Sequence, residues 1–286
     1  MNRQDTLRGA ALMAAAAFVF AAELLAIRLM TARGIPLEMQ LWARAGGQLL
    51  WVAPVIATGG LRVFRTRRAP MHLFRGFASL LTWGLYYYSF TRLDLATGTV
   101  LSFTNVMFTT LLAGPFLGER VGVWRWAGTI TGFAGVAVML RPGAEVDPLG
   151  AAAAVGAALA WCGITLSSRS LTRTESTPTV LAWVGLVTFA GVTPFALTAW
   201  VPLGLADWAI MLGLAALAPS IIWLVTEALR AGEASAIAPF QYLRLPVIAA
   251  VGWLLYGEAP DLWGWIGAGV ILAGAVAVTV AEARRR

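Results

Sequence analysis

The chain carries GERVGVWRWAG at Gly118–Gly128 and, in related form, GEAPDLWGWIG at Gly257–Gly267. Aligned on the glycines, Glu119 falls on Glu258, Trp124 on Trp263, Trp126 on Trp265 and, further along, Gly135 on Gly274. A signature that recurs in this way implies two halves of one kind. Hydropathy puts an odd number of apolar spans between the copies, so the halves are expected to sit upside down relative to each other in a bilayer.

Composition says why a bilayer is needed. With 59% hydrophobic and 12% charged residues and a mean hydropathy of +0.76 over 286 residues, the chain lacks the polar surface of a soluble globule. Its apolar runs repeatedly approach the ~20 residues that cross a hydrocarbon core as helix. The expected fold is an all-α membrane protein: ten transmembrane helices arranged as two inverted-topology five-helix repeats, 1–142 and 143–286. Breaks at Gly, Pro and charge clusters put the spans at Ala10–Met30, Leu37–Thr58, His72–Thr91, Leu95–Leu117, Val123–Leu140, Leu149–Ser168, Thr177–Trp200, Leu205–Leu229, Ala234–Tyr256 and Leu262–Val280. Met1–Arg8 reads as a short lead and not as a cleavable signal.

Every basic residue is arginine, and arginine orients the chain. With the N-terminus inside, the cytoplasmic ends collect Arg62, Arg65, Arg67, Arg68, Arg75, Arg120, Arg125, Arg169, Arg173, Arg230 and both terminal groups, whereas the other side holds Arg28, Arg33, Arg92 and Arg141. This asymmetry predicts cytoplasmic termini in a multi-pass inner-membrane protein. It also accounts for the net charge of +7 without a nucleic-acid partner; the lipid bilayer is the partner that the charge pattern implies.

The doubled five-helix unit, LGER at Leu117–Arg120 and YGEAP at Tyr256–Pro260 resemble EamA-type members of the drug/metabolite transporter superfamily. Gln40 and Arg44 entering the second span, Arg75 and Gly76 opening the third, and PFQYLRLP at Pro239–Pro246 extend the resemblance over nearly the whole chain. The resemblance implies a secondary transporter with a central cavity between the repeats. Export of amino acids or other small amphipathic or zwitterionic metabolites is the leading expectation, with import of an S-adenosylmethionine- or riboflavin-like substrate as the alternative and a non-transport membrane scaffold behind both. One departure stands out: Met107 occupies the place of Pro246, so the fourth and ninth spans are expected to bend differently.

Independently of the resemblance, chemistry is expected where polar groups enter hydrocarbon. Glu23, Arg44 and Arg244 lie well inside apolar spans, where an ionised side chain costs at least ~2.5–3.5 kcal/mol. Arg244 is the candidate for an anionic substrate group. Glu23 is the candidate coupling residue, taking a proton or a substrate ammonium, unless it is fixed by an arginine. Arg44 either pairs with an acid or reaches the outer interface.

In the fourth span Thr99, Ser102, Asn105 and Thr109 recur at helical spacing, and the repeat alignment carries Ser102 onto Gln241 and Asn105 onto Arg244. Ser102, Asn105, Gln241 and Arg244 are therefore the expected polar lining. For Thr99 and Thr109, helix packing is the preferred reading. Trp83, Tyr87, Trp161 and Trp223 lie nearer span centres and are candidate aromatic walls. The remaining tryptophans near span ends read as an interfacial belt.

Several chemistries are excluded. The lone His72 and lone Cys162 leave no metal-ligand set, histidine-based triad or intrachain disulfide, and there is no GxxxxGK phosphate loop. Neither enzymatic activity nor a cofactor is expected. The expected partners are a small-molecule substrate, the lipid bilayer and, as coupling ion, protons.

Overall fold

The computed structural model describes residues 3–90, 92, 93, 95–141, 146–256 and 261–284, with the side chains of 3–6, 24, 28, 87, 90, 95, 96, 255, 256, 279 and 281–284 excepted. The expected boundary at 142/143, Glu258 and the side chain of Tyr87 lie outside the described residues.

The order is α1 (Arg3–Ala32), α2 (Leu37–Gly59), α3 (Ala69–Phe90), α4 (Leu95–Ser102), α5 (Thr104–Leu117), α6 (Val123–Leu140), α7 (Pro148–Leu171), α8 (Thr177–Thr198), α9 (Leu205–Ala231), α10 (Ala234–Ile237), α11 (Arg244–Tyr256) and α12 (Leu262–Arg284). Gly60–Phe64 and Ala238–Leu243 are 3₁₀ segments. Eight of the described helical stretches are long and apolar enough to cross a membrane, and Leu262–Val278 is a shorter apolar helix. Ten helical spans result, because the fourth and ninth are each built from two pieces.

Local sequence explains the ends. Asp147 caps α7 by accepting from the Gly150 amide at 2.7 Å, and Ser176 caps α8, each followed by a proline in the first turn. Gly118 ends α5 at φ +69, a left-handed conformation that glycine adopts at little cost. Outward faces carry Phe18, Leu50, Phe77, Leu81, Phe116 and Leu254, all exposed and suited to lipid. Trp124, Trp200, Trp263 and Trp265 are exposed near helix ends, as an interfacial belt requires.

The packing displays the repeat. α1 runs along α9 while α3 runs along α7, two contacts that interchange when the halves are exchanged. α2 meets its counterpart α8, and α6 meets its counterpart α12. In that last pair the helices touch through glycine: a Cβ on Gly135 would stand 2.9 Å from the Gly267 carbonyl, and one on Gly267 would stand 2.6 Å from the Gly135 carbonyl. In the repeat-related pair, Gly128 and Gly274, a Cβ added to either would stand 3.4–3.5 Å from the carbonyl of the other. Small residues let helix backbones approach this closely in a bilayer.

Phe103 and Tyr242 are repeat equivalents, and their rings meet with centroids 5.6 Å apart in a buried cluster with Val106, Val136 and Ile271. This contact lies where both broken spans change course. In the fourth span, Ser102 donates to the Thr99 carbonyl at 2.8 Å and Thr104 to the Leu101 carbonyl at 2.6 Å, competing with the helix for its acceptors. In the ninth, Pro239 starts the 3₁₀ segment, and Pro246 removes the amide that would bond the Tyr242 carbonyl. The first break is one residue long and the second six, so the halves do bend differently.

Candidate functional site

A cavity of about 490 Å³ lies among α1, α2, α3, α7, α8, α9 and the broken ninth span. At the arginine-poor end its walls reach Leu37, Glu38 and the exposed Phe195. Toward the other end it stops at Arg75, Ser168 and Leu229, all buried. Below that floor the arginine-rich end is laced shut. Glu119 accepts from the Ala234 amide at 2.8 Å and from the Ser235 amide at 3.0 Å and hydroxyl at 2.8 Å, with Arg169 at 3.7 Å. Arg125 pairs with Glu233, and Arg230 donates to the carbonyls of Thr172 at 3.0 Å and Glu175 at 2.9 Å. The first of the paired signature glutamates thus caps α10 and stands outside the cavity.

At mid-depth the cavity is aromatic and cationic. The Arg244 guanidinium lies 4.8 Å from the Phe103 ring centroid, 5.1 Å from Phe20 and 5.7 Å from Trp161. Arg44 lies 4.6 Å over Trp83, whose ring is 6.2 Å from that of Trp161. Cations over indole and phenyl faces gain most where water is excluded. Glu23, 3% exposed, is 2.8 Å from Arg44 and also acts electrostatically on Arg244. The carboxylate thus lies against one guanidinium and within electrostatic reach of the other. Arg44, 9% exposed, turns inward and away from the outer interface.

Arg244, Gln241, Trp83 and Trp161 line the cavity. Asn105 stands one layer behind, donating to Gln241 Oε1 at 3.2 Å. Ser102 is turned to its own helix, and Thr109 donates to the Asn105 carbonyl at 2.8 Å. Trp223 is 41% exposed and is not part of the cavity wall. Among the wall residues that the sequence reading did not propose are Phe20, Gln48 and Arg75. A signal for two of them existed. Arg75–Ser79–Trp83 and Arg44–Gln48 recur at four-residue spacing, which stacks them on single helix faces. Among the described residues no cluster of His, Cys, Asp and Glu could hold a metal.

Two five-helix units enclosing a polar-and-aromatic cavity, sealed at one end, define a membrane transporter. The chain belongs to the EamA-like transporter family, whose model matches residues 7–141 and again 148–280. It is similar to a riboflavin transporter of Vibrio cholerae, 30% identical over 82% of this chain and 80% of that one. A riboflavin transporter of Rhizobium johnstonii is 32% identical, over 84% and 80%. An S-adenosylmethionine uptake transporter of Rickettsia bellii is 28% identical, over 80% and 79%. One crystal structure of a protein matches with a TM-score of 0.82 at 20% identity, covering 96% of this chain and 99% of that one, a likeness of fold alone.

Proposed function

We propose that this transporter takes up a flat, uncharged heteroaromatic metabolite of the riboflavin class by alternating access. The observation that carries the reading is the Trp83–Trp161 pair, with rings 6.2 Å apart, in a wall that also presents Arg44 and Arg244. With the two indoles tilted 60° to each other, one can stack on a fused ring system while the other meets its edge, and guanidinium and Gln241 amide hydrogens suit its ring carbonyls. The similarity to two riboflavin transporters supports the same substrate class.

Charge argues against the other substrates. S-Adenosylmethionine brings a sulfonium and an ammonium, and an amino acid brings an ammonium; beside Arg44 and Arg244 each of these cations meets like charge, which a carboxylate in the wall would offset. Among the described residues Glu38, near the mouth, is the one carboxylate of the wall, and Glu23 is engaged by Arg44. Amino-acid export therefore has a partner for the substrate carboxylate in Arg244 and none at mid-depth for the ammonium.

Orientation supports uptake as the proposed direction. With the arginine-rich end in the cytoplasm, the open end of the cavity faces outward, the posture of a carrier receiving an external substrate. Reporter tags at either terminus should read cytoplasmic and one between Pro142 and Pro148 should not; the opposite pattern overturns the assignment. Protons remain the proposed coupling ion. The direct test of substrate is uptake of labelled riboflavin, S-adenosylmethionine and amino acids into proteoliposomes, with and without a pH gradient. Saturable riboflavin uptake that excess S-adenosylmethionine does not compete is expected. Accumulation of S-adenosylmethionine or an amino acid without riboflavin uptake would refute the reading.

A further inference from the structure

Beneath the tryptophans, the floor of the cavity holds two buried polar groups facing no partner. Arg75 is 3% exposed; its Nε donates to Ser168 Oγ at 2.7 Å, while Nη1 is buried without a hydrogen bond. No ion pair joins Arg75 to a carboxylate among the described residues. Gln48, 4% exposed, has a buried Oε1 that accepts no hydrogen bond. Both residues line the cavity. A desolvated guanidinium hydrogen and a desolvated amide oxygen are each costly left alone, so their common position at the cavity wall marks a place where a ligand completes them.

From these groups we infer a second subsite at the cavity floor, one that takes a polyhydroxylated chain attached to the aromatic ring. This inference rests on the proposed flat-ring substrate and extends it downward. The chemistry is selective because the floor offers a donor and an acceptor together. Successive hydroxyls of one chain can accept from Arg75 Nη1 and donate to Gln48 Oε1, whereas a carboxylate or a phosphate dianion only accepts and gives Gln48 Oε1 no donor. Position agrees with it. Arg75 lies eight residues from Trp83 along α3, about 12 Å at the α-helical rise, and Ser168 lies seven from Trp161 along α7, about 10 Å. A ring at the tryptophans with a chain of several carbons below it spans that depth. The ribityl group of riboflavin is such a chain.

The test compares ligands that share a ring and differ in the tail. Riboflavin and lumiflavin, which keeps the isoalloxazine ring and carries a methyl group in place of the ribityl chain, are titrated by flavin fluorescence against the full-length protein in lipid nanodiscs. Adenosine and adenine are run as a second pair by calorimetry. The wild type should prefer the hydroxylated member of a pair. Arg75→Met and Gln48→Leu should each weaken that member about tenfold or more while leaving the tail-free ring within about twofold. Gln48→Leu, which removes no charge, decides the matter if Arg75→Met does not insert. Equal loss for tailed and tail-free ligands would assign Arg75 and Gln48 to helix packing and overturn the subsite. So would the absence of tail preference in both pairs. Tighter, Arg75-dependent binding of riboflavin 5′-phosphate would replace the polyol subsite with an anion site. Adenosine preference without riboflavin binding would remove the flavin class and retain the subsite.

Discussion

Phe103 and Tyr242 stand at equivalent points of the two repeats with ring centroids 5.6 Å apart, yet the residues beside them do different things. In the fourth span Ser102 bonds its own helix, and Asn105 reaches across only to hold Gln241. In the ninth, the counterparts Gln241 and Arg244 line the cavity. The backbone device is duplicated and the chemistry is not. The shorter break, made by hydroxyls competing for carbonyls, serves as a brace. The longer one, made by two prolines, turns a guanidinium toward the cavity. An inverted repeat can thus keep the two-sided geometry that alternating access needs while one half specialises in recognition.

Arg244 is where this contrast should break most visibly. Arg244→Ala is expected to reduce transport by about 10- to 100-fold or more, the scale of losing bonds to a charged donor, while the protein still inserts as a monodisperse bundle. Arg244→Lys should rescue poorly, because a compact ammonium lacks the planar face that lies against Phe20, Phe103 and Trp161. Transport near wild type in Arg244→Ala would move recognition elsewhere and leave the two broken spans functionally alike.

Glu23 is the next largest lever. Glu23→Gln leaves Arg44 and Arg244 without their shared countercharge, and breaking a buried pair costs about 3–5 kcal/mol. A fall in thermal midpoint is expected, with loss of both substrate exchange and gradient-driven uptake in proteoliposomes. Retained exchange with loss only of pH-driven accumulation would instead restore Glu23 as the proton carrier that its isolation in the sequence suggests.

A smaller effect tests the brace. Asn105→Ala frees Gln241 from its 3.2 Å hydrogen bond, a net loss of about 0.5–1.5 kcal/mol. Substrate affinity should fall by roughly two- to tenfold, with maximal rate little changed. An effect as large as that of Arg244→Ala would place Asn105 against the substrate itself.

These contrasts also mark how far the sequence could be read. The duplicated GE signature and hydropathy exposed ten spans and their inversion, because burying helices in lipid imposes length and composition on every one of them. The breaks in the fourth and ninth spans were only half legible. Pro239 and Pro246 announce the second, whereas the first rests on Ser102 and Thr104, residues equally at home in an intact helix. At the site, Arg244 and Trp161 stood out as polar or aromatic residues deep in apolar runs. Arg75 did not, since an arginine in the first turn of a span that reads from His72 looks like an interfacial anchor until the neighbouring helices bury it. Trp223 illustrates the converse: central depth in a span says nothing about which way a helix face points.

The smallest expected effect concerns the pseudo-symmetric contact itself. Tyr242 is 1% exposed and its hydroxyl has no hydrogen-bond partner, while its counterpart is a phenylalanine. Its ring fills the space above Gly132, where an added Cβ would come within 2.2 Å of Tyr242 Cδ2. Tyr242→Phe keeps that ring and removes only the unsatisfied oxygen, so the thermal midpoint should hold or rise, by no more than about 1 kcal/mol of stability. Transport should stay within about twofold of wild type. A stable Tyr242→Phe protein that transports poorly would mean that the hydroxyl finds its partner when the broken spans rearrange to open the sealed end. That result would make the hydroxyl that distinguishes Tyr242 from Phe103 a part of the transport cycle, in place of a silent departure from symmetry.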